Sequence, residues 1–406
     1  MGLLAGTSEE TGGGVQSKDH AVWDRSFPVK YLLVREDEEG EDGEEQLWAR
    51  CAAVEGLFVD PVPPPREVLT LRGCAPAGSL RDAMIRPEAA AGLLGDMLVE
   101  LSDDTQPVGW WELVDAVVLA QHPCRTDPSL VDVVMGAGVK KLEGGIRTPP
   151  ASPRFELFTG MNATAGHCLA VEGLFTPRQD PAKIPMELIG CEPTEPLLSV
   201  LRRPSRWERA GAELWTLDRT GRTMARHFVG LGIDGARPSV LGGALIDITL
   251  TDGGDNRPSP ATRTVWESWY QGFPTAPNQW APYASQGRAE WLRLTLQATR
   301  ARYPDRSGGV HHLDGRYITD VPGLHCALGE ALTGPGGYFG WGWDAFRDCL
   351  CGGFGVAPPF TLIWHDAGTA RRALADVVYD PEEGLSYFEE VVQTLERSRV
   401  TVVLDE

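Results

Sequence analysis

At 406 residues the chain is too long for one ordinary domain, and its formal net charge of −20 opposes a grip on nucleic-acid phosphate. Hydrophobic residues make up 42%, enough for packed cores, yet no run of about 18 apolar residues offers a membrane span. A basic protein partner and salt-sensitive association fit this balance better than nucleic acid or membrane.

Residues 1–28 are rich in Gly, Ser and Thr and are expected to be disordered. They show neither the basic start nor the sustained apolar stretch of a secretory signal. The eight cysteines are sparse and none sits in a CxxC set, so a reduced, cytoplasmic protein is expected. The acidic run REDEEGEDGEEQ, Arg35 to Gln46, reads as a solvated loop.

An internal repeat follows. CAAVEGLF, Cys51 to Phe58, recurs as CLAVEGLF, Cys168 to Phe175, and LRGCAP, ending at Pro76, recurs as LIGCEP, ending at Pro193. Both matches share the same offset of 117 residues, which predicts two copies of one unit, 29–150 and 151–260. KYLLV, LWARCAAVEGLFV and EVLTLRGC read as strands, being β-branched or aromatic and bounded by Pro and Gly. PEAAAGLLGDMLVEL, rich in Ala and Leu, reads as a helix, and SVLGGALIDITLTDGG as a strand. Duplicated mixed α/β (α+β) units are therefore expected. The four repeated cysteines, Cys51, Cys74, Cys168 and Cys191, read as small buried thiols rather than a zinc site.

Residues 261–307 form a junction. With the stretch just before it, the junction holds Trp266, Trp269, Tyr270, Phe273, Trp280 and Tyr283, more aromatics than a free linker needs, so it should pack across its neighbours. A helix, QGRAEWLRLTLQATRARY, should follow, with Arg288, Arg293, Arg300 and Arg302 on a solvated face. GLGIDG, Gly230 to Gly235, matches a dinucleotide fingerprint, but the ARPSV that follows holds a proline where the helix must start. No GxSxG, HExxH or P-loop is present, so no enzyme activity, cofactor or metal is expected. His311, His312, His325 and His365 show no metal-ligand spacing.

Residues 308–406 carry the sharpest pattern. GVHHLDGRYI reads as a strand, an Asp314-Gly315 turn and a short return. Asp320 caps a helix, VPGLHCALGEALT, that ends at Gly334, and WDAFRDCLC forms a helix stopped by Gly352-Gly353. PPFTLIWHD and VTVVLDE read as strands, and AGTARRALADVVY and LSYFEEVVQTLERS as helices. Short apolar strands separated by helices make an α/β domain with a small parallel sheet. Asp344 and Asp348, four residues apart on a helix, share a face and repel each other.

This string resembles the barstar family, intracellular inhibitors of barnase-type ribonucleases. Tyr338, Phe339, Gly340, Asp344, Ala345, Phe346 and Asp348 match its most specific stretch position by position. The resemblance implies a three-stranded parallel sheet with flanking helices. It also implies a partner-binding face of Tyr338, Phe339, Gly340, Trp341, Asp344, Arg347 and Asp348, with Asp348 mimicking phosphate in a basic ribonuclease cleft. The family also uses a last-helix glutamate, for which Glu390 is the candidate. Gly342, Trp343 and Arg347 depart from the family pattern, and Arg347 would oppose a basic partner. The implied function is an antitoxin-type inhibitor that plugs a ribonuclease. The alternative is a multi-domain scaffold or sensor whose N-terminal repeats bind another ligand.

Overall fold

The computed structural model describes residues 29–36, 45–60, 62–85, 93–103, 106–143, 148, 150, 153–159, 163–178, 183–202, 211–230, 232–254, 256–298, 304–375, 377 and 384–406. The expected disordered start and most of the acidic run lie outside these residues. Among the described residues no helix is long and apolar enough to cross a membrane.

Among the described residues the N-terminal part is built largely from strands. Thirteen run from β1 to β13: β1 (Tyr31–Glu36), β2 (Glu45–Glu55), β3 (Arg66–Pro76), β4 (Leu93–Ser102), β5 (Pro107–Pro123), β6 (Val131–Glu143), β7 (Arg154–Thr159), β8 (Ala163–Glu172), β9 (Met186–Pro193), β10 (Gly211–Leu217), β11 (Thr223–Gly230), β12 (Ile233–Pro238) and β13 (Ile246–Leu250). Two short helices, α1 (Gly78–Ile85) and α2 (Glu195–Leu201), interrupt them. The expected mixed α/β units are thus corrected to a largely β architecture. Of the stretch read as a helix, residues 87–92 lie outside the described residues and the remainder, from Leu93, supplies β4 instead. Met97, Val99 and Leu101 are fully buried while Leu98 and Glu100 between them are not, a period of two set by pairing with β5 and β7. Helix propensity is a weak prior against that tertiary pairing.

Six strands close a barrel, β3-β6-β5-β4-β7-β8, and seven form an open sheet, β11-β10-β1-β2-β9-β13-β12. The strands of the repeated motifs interleave between them. β2 pairs with β9, setting Cys51 opposite Cys191, and β3 pairs with β8, setting Cys74 opposite Cys168. The Cys51 and Cys191 sulfurs lie 2.9 Å apart. Exchanging β1–β6 in turn with β7, β8, β9, β10, β11 and β13 carries the barrel order β5-β4-β7-β8-β3-β6 onto the sheet order β11-β10-β1-β2-β9-β13. Gly73 and Gly190 precede matched cysteines, both at positive φ (56° and 63°). Each donates its N–H to a buried aspartate, Asp132 or Asp247, at 2.9 Å. Hence the barrel takes β7 and β8 from beyond residue 150, and the open sheet takes β1 and β2 from before it.

Among the described residues, six helices and the last sheet complete the frame. α3 (Arg263–Tyr270) and α4 (Ser285–Ala298) lie in the junction, and α5 (Val321–Thr333) follows β14 (Val310–Asp314). Then come α6 (Trp343–Leu350), β15 (Phe360–His365), α7 (Ala367–Ala373), α8 (Tyr387–Arg397) and β16 (Val400–Leu404). β14, β15 and β16 form the expected parallel three-stranded sheet in that order. The return strand expected after Asp314 is instead a 3₁₀ turn, Gly315–Tyr317, because the Asp314 carboxylate accepts from the Arg316 N–H and caps it. Asp320 caps α5 by accepting from the Gly323 N–H at 2.7 Å, and Gly334 ends that helix at φ 94°.

The junction packs as its aromatics require. Trp266, Trp269, Trp280 and Trp291 are buried in one core that runs from Leu33 and Cys191 of the open sheet to Leu313 and Trp364 of the parallel sheet. The barrel keeps a separate core around Met97, Trp111 and Phe155. The arginines of α4 are not a solvated face. Arg288 is buried and donates to Thr319 (2.7 Å), Asp320 (3.1 Å) and the Ala281 carbonyl (2.8 Å), while Arg293 pairs with Glu290. Arg300 and Arg302 lie outside the described residues. Elsewhere in the junction the Trp280 Nε1–H donates to Glu330 at 2.7 Å, and the Asn278 N–H donates to the same carboxylate at 2.8 Å. Burial lifts the Glu330 carboxyl above its ordinary range, and these two donors oppose the lift.

Trp280→Ala should therefore cost about 3–5 kcal/mol, the range for emptying a buried aromatic site. Urea unfolding of the full chain should show an earlier midpoint for the parallel-sheet region. An unchanged midpoint would contradict a junction that holds the halves together.

Candidate functional site

The surface around α6 is shaped from a glycine-rich loop. The chain leaves α5 at Gly334 and reaches Gly340, whose φ is 89°. A Cβ on Gly340 would stand 2.6 Å from the Phe346 N and Cα, so only glycine lets this loop lie against α6. Phe339 is fully buried and meets Phe346 edge to face, ring centres 6.3 Å apart. At the other end Gly352 and Gly353 stop the helix at positive φ. The Asp305 carboxylate secures that stop by accepting from the Gly353 and Gly355 N–H groups at 2.7 and 3.0 Å. Nothing in the local pattern singled out Asp305, which lies far upstream.

α6 is two-faced. Trp343, Phe346, Cys349 and Leu350 are buried on one stripe, and Asp344, Arg347 and Asp348 are exposed on the other. Beneath the buried stripe, Trp343 and Tyr387 pack at 5.9 Å, and the His325 Nε2 lies 2.8 Å from the Tyr387 hydroxyl. Burial alone pushes the His325 imidazole down to about 3. That ring is a neutral part of the floor, not a surface group.

Among the described residues, none covers the exposed stripe. Among the described residues, Asp344, Arg347 and Asp348 make no ion pair with any residue of the chain. Asp344 lies in the first turn, where the helix dipole favours negative charge. Trp341, just before the helix, is 64% exposed, an unusual position for so large an apolar ring.

Four of the eight expected partner-binding residues, Trp341, Asp344, Arg347 and Asp348, thus lie exposed along one short segment. The other four do not share that exposure. Tyr338 is buried against Phe354, ring centres 5.9 Å apart, and burial, with Cys349 and Asp348 nearby, pushes its hydroxyl up. Phe339 and Gly340 are buried beneath the loop they shape. Glu390 is buried on α8, with the Arg397 guanidinium 3.7 Å away.

A family model described as Barstar (barnase inhibitor) matches residues 309–405. The N-terminal part matches no family model. No curated protein matches the chain.

The buried imidazoles set an acid limit on this face. His227 on β11 is also held down to about 3, by burial first and then by Arg293. Both folded values lie below the unfolded 6.5, so the stability is complete above that pH and drains as pH falls toward 3. Between pH 7 and 5 each should cost about 2 kcal/mol of unfolding free energy. In an NMR titration the two imidazoles should stay neutral over that window; protonation of either in the folded protein above pH 5 would contradict the assignment.

Proposed function

We propose that the C-terminal region is a protein-interaction module that inhibits a barnase-type ribonuclease by occupying its active site, and that it catalyses nothing. The observation that carries this reading is the outward stripe of α6, where Asp344 and Asp348 stand exposed with no ion pair among the described residues, within the matched region. Charges of one sign, held a helical turn apart on a rigid element, suit a cleft that supplies the opposite sign. A ribonuclease cleft grips phosphate with Arg, Lys and His. A carboxylate fixed on a helix can take the place of that phosphate through charge-assisted hydrogen bonds. In this reading Asp348 enters the phosphate site, Asp344 supports it at the rim, and Trp341 contributes apolar area. The N-terminal body docks through α4 onto α5 and leaves the α6 stripe uncovered. The expected setting is the cytoplasm, where such a ribonuclease must be held silent.

Calorimetry of the full chain with a small guanyl-specific ribonuclease tests this directly. Close charge pairs across such interfaces couple by about 1.5–7 kcal/mol, a range that comes from the barnase–barstar pair itself. Asp348→Ala should therefore weaken binding at least about tenfold, and affinity should fall as salt rises. Absence of binding at low salt would contradict the proposal.

One observation favours a second reading. Arg347 is exposed and unpaired on the same stripe as the two carboxylates, and Tyr338 is turned inward. A partner that also offers a carboxylate would use that arginine, as would be expected of a scaffold or sensor whose N-terminal body binds another protein. Against a basic ribonuclease, Arg347→Ala should tighten binding severalfold. Weaker binding in that variant would favour the second reading.

A further inference from the structure

His312 and His365 lie 53 residues apart in the chain, yet the parallel sheet brings them together on the side away from its helices. The His312 Nδ1 is 2.9 Å from the His365 Nε2, and the rings are parallel within 5°. The other nitrogen of His365, Nδ1, is 3.1 Å from the Asp405 carboxylate. Both histidines are open to solvent, the His365 side chain at 41%. His365 borders a cleft of about 400 Å³ at the carboxyl ends of the strands, lined also by Asp314, Arg316, Asp366, Asp405 and Glu406.

We propose that His312 and His365 form a two-nitrogen chelate for a late first-row divalent metal ion such as Ni²⁺, Cu²⁺ or Zn²⁺. Two ligands about 2.0–2.1 Å from one ion and about a right angle apart stand about 2.9 Å from each other, the separation found here. Imidazole nitrogen is the ligand these ions favour. Asp405 plays the part that carboxylates play behind metal-bound histidines. It accepts the Nδ1–H of His365, which leaves the Nε2 lone pair aimed at His312. In the metal-free chain His312 donates its Nδ1–H to that lone pair. Moving this proton to the His312 Nε2 turns two converging nitrogens into two ligands, with no net proton released. Four carboxylates against one arginine in the cleft lining favour a cation. Asp314 is held by Arg316 and Asn278 and is not a ligand, so water fills the remaining positions. The site lies on β14, β15 and the end of β16, and it does not depend on the inhibitor reading of α6.

The test is titration calorimetry of the full chain, free of any added polyhistidine, with Ni²⁺ alone. One ion should bind per chain. Binding should be lost in His312→Ala and in His365→Ala, both exposed positions whose folding circular dichroism checks. Asp405→Asn should weaken it by about 10- to 100-fold, as loss of an orienting carboxylate does. No uptake by the wild-type chain, or equal uptake by both histidine variants, would overturn the proposal.

Discussion

Burial of Trp343, Phe346, Cys349 and Leu350 along one stripe of α6 decides where each charge on that helix points. An eight-residue helix has too few turns to be stable alone, so it exists because that stripe finds a floor of Phe339, His325 and Tyr387. Once the stripe is seated, Asp344, Arg347 and Asp348 have only solvent to face. Gly340 makes the seating possible by letting the loop backbone touch Phe346. The charged face is thus a consequence of apolar packing on the opposite side. In the proposed reading a partner would meet carboxylates whose backbone positions the seated helix already fixes.

The rest of the molecule supports that face from a distance. The tryptophan-rich core joins the open sheet to the parallel sheet, and Arg288 ties α4 to the cap of α5 through Asp320. Breaking that buried pair would leave one charge without a partner in the interior, a large cost for one side chain. The exchanged hairpins add a different constraint. Because β2 lies beside β9 and β3 beside β8, neither the six-stranded barrel nor the seven-stranded sheet is complete without strands from the other segment. The N-terminal body therefore forms as a pair.

Much of the C-terminal region is legible in the sequence, because its signals are local. Asp320 and Gly334 bracket α5, the glycines after Cys351 end α6, and the strand segments are short and apolar. What escapes a reading of the sequence depends on distant partners. Alanine and leucine around β4 suggest a helix until β5 and β7 impose a period of two. Arg288 looks solvated until Thr319 and Asp320 arrive from beyond the helix. Tyr338 looks like a surface group until Phe354 covers it. The repeat shows that two segments share a pattern, but pairing between copies rather than within them is a property of the assembled sheets. His312 and His365 have no motif spacing, since parallel strands bring together residues that sequence separation keeps apart.

The central claim is that Asp348 acts by direct charge pairing in a ribonuclease's phosphate site. A double-mutant cycle tests this most directly, combining Asp348→Ala with an alanine substitution of an arginine in that site and reading both by calorimetry. The two losses should fall well short of additive, with a coupling of at least about 1.5 kcal/mol. Additive losses within about 0.5 kcal/mol would mean that Asp348 and the arginine do not meet, and would contradict it.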